Sequence, residues 1–232
     1  MLALKRTVVV ALIILGVSQA GSADVVFEEA GWKITMPSWV GSPTGAVVVR
    51  DTSPGIPDDV LVLEIGKIFK GQPGQFGEMP SIVMAFEQTD DSAPDKIVIN
   101  DEAVMNLMTV DWVDFHFILL GELASFNRGE TFPSGVGGDP ALDFDIAPFT
   151  EYSWYENPQA ATEELALEGG TVPAGDTFFP GTPNGSLVID VDLSGQEFAT
   201  FMFKEVPSVP EPASLFVLTV GATVLAARRR KR

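Results

Sequence analysis

Two apolar segments, one at each end of the chain, limit the part of the sequence that can fold as a globular domain. Near the N-terminus, two basic residues precede an apolar run of 11 residues, 7–17. Small residues follow this run and predict cleavage after Ala20 or Ala23, as in a secretory signal peptide. Because signal peptides are removed during export, residues 1–23 are excluded from the fold.

The second apolar segment, residues 213–227, is followed by five consecutive cations. As a helix its 15 residues would be about 22 Å long, which is short for a hydrocarbon core of roughly 30 Å. The cations predict a stop to transfer and a cytoplasmic C-terminus. We interpret the segment as a transient inner-membrane anchor, with a permanent tail anchor as the alternative. The stop-transfer residues are Arg228, Arg229, Arg230, Lys231 and Arg232.

A short polar motif precedes this apolar segment, and it consists of Val209, Pro210, Glu211 and Pro212. Motif, apolar helix and basic tail together span residues 209–232 and resemble the PEP-CTERM sorting signal. Exosortases process this signal in Gram-negative bacteria that make extracellular polysaccharide. The resemblance implies an exosortase as a partner, alongside signal peptidase, and export to the cell surface or the extracellular space. Its implications are confined to sorting, because the proteins that carry this tail are diverse.

The part of the chain between these ends, residues 24–206, is strongly acidic. It contains 31 acidic and 7 basic residues and therefore has a net charge of −24. Such a charge repels nucleic acids and anionic lipids, so we expect no nucleic-acid partner. The chain has no cysteine, which excludes disulfide bonds and thiolate chemistry. The domain must then be stabilised by its core, for which about 180 residues are sufficient.

Short apolar runs separated by glycine and proline predict that residues 24–206 form one all-β domain. We expect an antiparallel β-sandwich or a jelly-roll-like fold. Runs at 187–193 and 198–203 flank a Ser-Gly-Gln turn and predict a hairpin, and residues 160–168 form the single predicted helix of the domain. The other predicted strands are residues 32–36, 46–49, 60–69, 82–86, 96–99, 103–108 and 112–120.

The predicted strand 112–120 contains His116, the only histidine of the chain. Strand alternation places Trp112, Asp114 and His116 on one face and an apolar row on the other. An Asp–His pair is part of the machinery that activates a nucleophile in hydrolases. No serine lies in a nucleophile-elbow motif, so we interpret His116 as a structural residue that is hydrogen-bonded across the sheet.

Candidate metal ligands are confined to acidic loops. Asp139, Asp143 and Asp145 lie beside a glycine-rich stretch and are candidates for binding Ca²⁺, although loop acids are usually only solvated. The segment 190–195 begins like an EF-hand loop, but its twelfth position is Phe201 instead of glutamate, so we interpret it as a strand. One histidine and no cysteine exclude a typical zinc site. We therefore predict no cofactor, with Ca²⁺ as the alternative.

Tyr152, Trp154 and Tyr155 are candidates for stacking on sugar rings, with core packing as the alternative interpretation. No catalytic motif is present in residues 24–206, so we expect a non-catalytic exported protein that associates with exopolysaccharide in a biofilm. Two alternatives follow from the same residues. One is a carbohydrate- or Ca²⁺-binding β-sandwich module, and the other is a secreted glycan hydrolase.

Overall fold

The computed structural model describes residues 25–36, 45–50, 59–73, 79–195 and 198–209. The predicted signal peptide and the predicted sorting helix lie outside these residues. Within them, helices are short, namely α1 (Arg128–Thr131) and the 3-10 turns Pro133–Val136, Pro140–Leu142 and Pro158–Ala160. The strands are β1 (Val25–Glu29), β2 (Trp32–Met36), β3 (Gly45–Arg50), β4 (Asp59–Gly71), β5 (Ile82–Gln88), β6 (Lys96–Met108), β7 (Asp114–Leu120), β8 (Ala124–Phe126), β9 (Glu151–Asn157), β10 (Thr162–Glu168), β11 (Thr177–Phe178), β12 (Leu187–Val191) and β13 (Thr200–Ser208).

These strands form two sheets that pack as a sandwich. The first sheet is wholly antiparallel, with seven strands in the order β1-β2-β5-β13-β7-β10-β9. The second sheet has the order β3-β4-β6-β12-β8, and β11 pairs with β6. In it β4 and β6 are parallel, because β5, which connects them in sequence, lies in the other sheet. The predicted all-β sandwich is confirmed, and the parallel pair is an addition to it.

The core lies between the two sheets and is rich in aromatic side chains. Strand alternation sends every second residue inward, so Phe115, Phe117 and Leu119 of β7 are buried as predicted. Phe117 stacks on Phe203 of the neighbouring β13, with ring centroids 5.9 Å apart. Phe69 reaches the same region from the second sheet and contacts Phe115 edge to face. Burial of these rings contributes to the hydrophobic stabilisation that a domain without disulfides requires.

Two predictions about secondary structure are wrong. Residues 160–168 do not form a helix, because Thr162–Glu168 is strand β10, which is hydrogen-bonded to β7 on one side and to β9 on the other. The runs 187–193 and 198–203 do not pair as a hairpin. Strand β12 belongs to the second sheet and β13 to the first, so the chain crosses between the sheets after β12.

Trp112 does not share the face that alternation predicts for it. Strand β7 begins only at Asp114, and Trp112 precedes it in an isolated bridge to Val172. Its indole is fully buried and contacts Phe69 edge to face at 5.2 Å. The irregular backbone between Trp112 and Asp114 therefore changes which face the side chains take.

Pro207 lies in the central strand β13, where a proline would usually interrupt the hydrogen-bond ladder. Strand β13 pairs with β5 only up to Glu205, whereas its pairing with β7 continues to Ser208. The missing N–H of Pro207 is tolerated because β5 has already ended.

Among the described residues, no helix is both long and apolar enough to cross a membrane.

Candidate functional site

The end of strand β13 is held firmly by the rest of the domain. The backbone N–H of Val113 donates to the carbonyl of Ser208 at 2.9 Å. The next residue, Val209, is partly buried against the core. Val209 is also the first residue of the predicted sorting motif, so this motif begins directly at the edge of the folded domain. Pro210, Glu211, Pro212 and the five terminal cations lie outside the described residues.

A hydrogen-bonded chain of three side chains crosses the outer face of the first sheet at this point. His116 Nδ1 lies 2.7 Å from Glu164 Oε1, and His116 Nε2 lies 3.0 Å from Ser208 Oγ. Because a carboxylate only accepts, Nδ1–H donates to Glu164, and a neutral imidazole then accepts from the Ser208 hydroxyl. Both ring nitrogens of His116 therefore have partners. The carboxylate that bonds His116 is that of Glu164, whereas the sequence suggested that of Asp114.

The most unusual polar group in the described part of the chain is a buried set of three charged side chains, Lys67, Glu102 and Glu205, here called the Lys67 cluster. Lys67 Nζ directly contacts a carboxylate oxygen of both glutamates. The exposed fraction is 1% for Lys67, 2% for Glu102 and 0% for Glu205. Lys67 Nζ also lies 5.4 Å from the ring centroid of Phe203. One cation and two carboxyl groups thus share a site that is closed to solvent.

Local structure explains how these side chains reach the core. Lys67 of β4 and Glu205 of β13 occupy inward positions of regularly alternating strands. Glu102 is turned inward by a bulge in β6, since Glu64 pairs with Asn100 whereas Gly66 pairs with Ala103. Two residues of β6 therefore face one residue of β4, and the alternation shifts by one position. Bulges often redirect a side chain in this way.

Burial dominates the electrostatics of the Lys67 cluster. Desolvation, with repulsion from Glu102, raises the pKa of Glu205 to about 8, although Lys67 opposes this shift. Desolvation alone would lower the pKa of Lys67, but the two carboxylates outweigh it and raise that pKa above its usual value. Burial therefore favours the protonated form of Glu205 beside a charged Lys67.

A second set of one cation and two glutamates lies at the surface and is here called the Arg128 cluster, consisting of Arg128, Glu156 and Glu163. Arg128 Nη2 donates to Glu163 Oε1 at 2.8 Å and also contacts Glu156. The other oxygen of Glu163 accepts the backbone N–H of Phe126 at 2.8 Å. The guanidinium lies 5.0 Å from the ring centroid of Trp154. The Arg128 side chain is 39% exposed, so water reaches this cluster.

The three candidate calcium ligands each accept hydrogen bonds from nearby loop backbone. Asp139 accepts from the N–H of Ala141, and Asp145 accepts from the N–H of Ala147. Asp143 accepts from both the backbone and the hydroxyl of Ser134. Within the part of the chain that the structure describes, no three histidine, cysteine or acidic side chains are grouped as a metal site. Calcium binding here remains a prediction.

The three candidate sugar-stacking aromatics belong to the edge strand β9 and divide between its two faces. Tyr152 stacks on Phe132 with centroids 3.9 Å apart, and Trp154 contacts Phe132 edge to face. Tyr155 directly follows Trp154, so strand alternation places it on the other face, where it is 52% exposed. The three rings therefore do not form one flat platform, and sugar binding by any of them remains a prediction.

Sequence reasoning missed the Lys67 cluster, although two of its members carried a signal. Lys67 follows Leu61, Leu63 and Ile65 at the same strand parity, where an apolar residue is expected. Glu205 likewise follows Phe203. A charged residue at a core position requires a buried partner, so these positions predict an internal ion pair. The bulge that brings in Glu102 has no comparable signal.

Comparison with known proteins identifies the C-terminal segment. The family model of the PEP-CTERM protein-sorting motif matches residues 208–231. No curated protein and no solved structure matches the chain. The match begins at Ser208, the last residue of strand β13, and thus covers the segment that directly follows the folded domain. The chain is therefore an exported protein that carries a PEP-CTERM motif and is sorted by an exosortase.

Proposed function

We propose that the β-sandwich is a non-catalytic structural component of the cell surface or the extracellular matrix, where it associates with exopolysaccharide. The observation that carries this proposal is the direct joining of the central strand β13 to the sorting motif at Ser208. With Val209 packed against the core, there is no spacer between the domain and the signal. Such an arrangement suits a rigid folded domain that is retained at the site to which the exosortase sorts it.

The route that we propose has two processing steps. Signal peptidase removes the N-terminal segment after Ala20 or Ala23. Residues 213–227 then hold the protein transiently in the inner membrane, with the C-terminal cations in the cytoplasm, until the exosortase acts near Pro210–Pro212. The surface that emerges is acidic, with a net charge of −24 over residues 24–206, which favours association with neutral or cation-bridged polysaccharide over nucleic acid.

The sorting step is tested by changing Pro210, Glu211 and Pro212 together to alanine in a host that has an exosortase. Membrane insertion depends on the apolar segment and the cations, so the variant should accumulate in the membrane without being processed. The matched control changes Pro207 to alanine, which lies in the strand outside the motif and should leave processing intact. Equal release of the two variants would show that the enzyme does not read the motif.

Matrix association is tested by fractionating cells that do or do not make exopolysaccharide. The processed protein should sediment with the polysaccharide of the producing strain and appear in the medium of the non-producing strain. A chelator arm separates the alternatives, because a calcium-dependent module would be released from the matrix by chelation. Release of the protein from both strains alike would contradict the matrix role.

A secreted hydrolase is the second candidate, and the Ser208–His116–Glu164 chain favours it. Hydroxyl, imidazole and carboxylate follow one another as nucleophile, base and orienting group do in serine hydrolases. Ser208 lies on a sheet face, however, and three open grooves in the described part of the chain, of about 560, 610 and 530 Å³, are lined by other residues. A fluorophosphonate probe decides between the candidates, because labelling that is lost in Ser208→Ala would establish a reactive serine.

A further inference from the structure

The Lys67 cluster, as a set of ions, leaves buried polar atoms without partners. Glu102 Oε2 and Glu205 Oε2 are buried and accept no hydrogen bond from the described residues. Lys67 Nζ contacts only the other oxygen of each carboxylate. Buried charges are tolerated when their remaining lone pairs are satisfied, and the desolvation of an unsatisfied carboxylate exceeds what one ion pair returns. In its ionic form the cluster therefore leaves part of the desolvation cost of its carboxylates uncompensated.

The buried polar atoms of the cluster can all be given partners if two of its side chains are joined by a covalent bond. We propose that Lys67 and Glu205 react to form an intramolecular amide bond between Lys67 Nζ and Glu205 Cδ, with Glu102 as the group that carries the protons. The folded domain itself supplies every participant, so no cofactor or separate enzyme is required. The bond would link strand β4 of the second sheet to strand β13 of the first sheet.

The reaction balances within the cluster. Glu102, as carboxylate, takes a proton from the Lys67 ammonium, and the neutral amine attacks the carboxyl carbon of the protonated Glu205. The tetrahedral adduct expels its hydroxyl group as water, using the proton that Glu102 had accepted, while a second proton leaves the nitrogen for Glu102. One C–N bond forms, one C–O bond breaks, one water molecule is released, and no oxidation occurs. Glu102 ends as a neutral acid.

Lys67 Nζ contacts both glutamates, and the environment selects Glu205 as the group that is attacked. A carboxylic acid is a far better electrophile than a carboxylate, and Glu205 is the member of the cluster whose pKa burial raises to about 8. The surroundings are apolar, because Phe203 lies beneath Lys67 Nζ. Lys67 is a cation at rest, and transfer of its proton to Glu102 removes two charges from this apolar site, so burial lowers the cost of forming the amine. Glu102 lies on β6, next to Lys67 on β4, and is positioned to shuttle protons.

The product removes the unsatisfied atoms of the ionic form. One oxygen of the Glu205 carboxyl group leaves as water, and no charged group remains in the cluster. The new amide offers one N–H and one carbonyl oxygen, and the protonated Glu102 offers one acceptor and one donor to match them. A chain without cysteine thereby gains a covalent link across its core. The link lies three residues before Ser208. A mechanical force applied to the C-terminal end of β13 would therefore be transmitted to β4 through a covalent bond.

Intact-mass measurement of the exported, folded protein tests the proposal without any substitution. The mass should be lower by one water molecule than the mass of the same processed chain calculated from its sequence. Trypsin should fail to cut after the acylated Lys67, and fragment 51–70 should be joined to the fragment that begins at residue 205. Separate fragments and the full mass would overturn the proposal, and joining of 51–70 to fragment 97–128 would overturn the choice of Glu205.

Two variants test the chemistry. Glu102→Gln keeps the size of the side chain but cannot accept a proton, so the variant should retain the full mass while its circular dichroism spectrum stays that of a β protein. The matched control, Glu163→Gln, alters the solvated Arg128 cluster and should keep the loss of one water molecule. A folded Glu102→Gln protein that loses water as completely as the wild type would show that Glu102 carries no proton in the reaction.

Discussion

The Lys67 cluster and the Arg128 cluster have the same composition, one cation between two glutamates, but they differ in access to water. In the Lys67 cluster all three side chains are at most 2% exposed. In the Arg128 cluster the exposed fractions are 39% for Arg128, 60% for Glu156 and 13% for Glu163. The surface carboxylates can complete their hydrogen bonds with water, and Glu163 also accepts a backbone N–H. The buried carboxylates have no such partner among the described residues.

This difference shows that burial, more than composition, decides what a cation and two carboxylates do. At the surface the three groups remain ions and contribute little, because water screens them and competes for them. In the core, burial favours the neutral acid of Glu205, and Lys67 remains a cation until it gives a proton to Glu102. A neutral amine beside a neutral carboxylic acid is a pair of reactants, so the buried cluster can become a covalent bond while the exposed cluster stays an ion pair.

The largest expected difference between the clusters is in stability. Lys67→Met should lower the free energy of unfolding by about 3–5 kcal/mol or prevent folding, because it leaves Glu102 and Glu205 buried without their cation. Arg128→Met should cost about 1 kcal/mol at most, since its ion pairs are solvated. Urea titration of both variants measures the two values. Equal losses would mean that burial does not separate the clusters.

The rate of amide-bond formation in the Lys67 cluster is expected to depend on pH. The pKa of Glu205 is raised to about 8, so its reactive protonated form is present below pH 8 and is lost as the pH rises through that value. After refolding from denaturant, loss of water should proceed at a constant rate up to about pH 7 and slow by about tenfold per unit well above pH 8. Mass spectrometry follows the rate. Acceleration at high pH, as for a surface lysine, would contradict this mechanism.

A smaller effect is expected where β13 ends. His116→Gln should cost about 1 kcal/mol, because the side chain bonds Glu164 and Ser208 at a partly buried site. Hydrogen exchange of the Val113 amide, which bonds the Ser208 carbonyl, reports the loosening directly. Asp114→Asn is the control on the same face of β7 and should leave this exchange unchanged. If the two variants exchange alike, the His116 contacts do not hold the strand.

The smallest expected effect is the response to salt. Raising the ionic strength from 0.1 M to 1 M shortens the Debye length from about 10 Å to about 3 Å. The stability difference between the wild type and Arg128→Met should shrink by a few tenths of a kcal/mol, because the Arg128 cluster is solvated. The corresponding difference for Lys67→Met should not change, since ions do not enter the core. Urea titration at both salt concentrations makes the comparison.

Much of the fold could be predicted from local patterns, and the failures have physical causes. The richness of residues 60–69 in valine, leucine and isoleucine and the alternation in residues 112–120 are local properties, and they predict strands β4 and β7. Residues 160–168 are rich in alanine, leucine and glutamate, whose helix propensity is overridden by pairing with β7 and β9. The crossing after β12 depends on which sheet each strand joins, and no local pattern in 187–203 reports that.

The candidate sites divide in the same way. The sorting motif at Val209–Pro212 is a linear signal and was found from its residues, as the family match at 208–231 confirms. The Lys67 cluster joins residues that are 35 and 138 positions apart, and one of them depends on a bulge. Lys67 and Glu205 could have been noticed as charges at inward positions, but their meeting requires the sandwich.

The amide bond between Lys67 and Glu205 is tested most directly by an NMR spectrum of the folded protein labelled with ¹⁵N at the lysine Nζ atoms and with ¹³C at the glutamate side-chain carboxyl carbons. If Lys67 is joined to Glu205, one Nζ should carry a single proton and couple to a glutamate side-chain carbonyl carbon. Arg128 has no counterpart to this signal, so the spectrum isolates the buried cluster. We expect one such amide resonance in the wild type and none in Lys67→Met. A wild-type spectrum in which every lysine Nζ is an ammonium group would show that Lys67 and Glu205 are not joined.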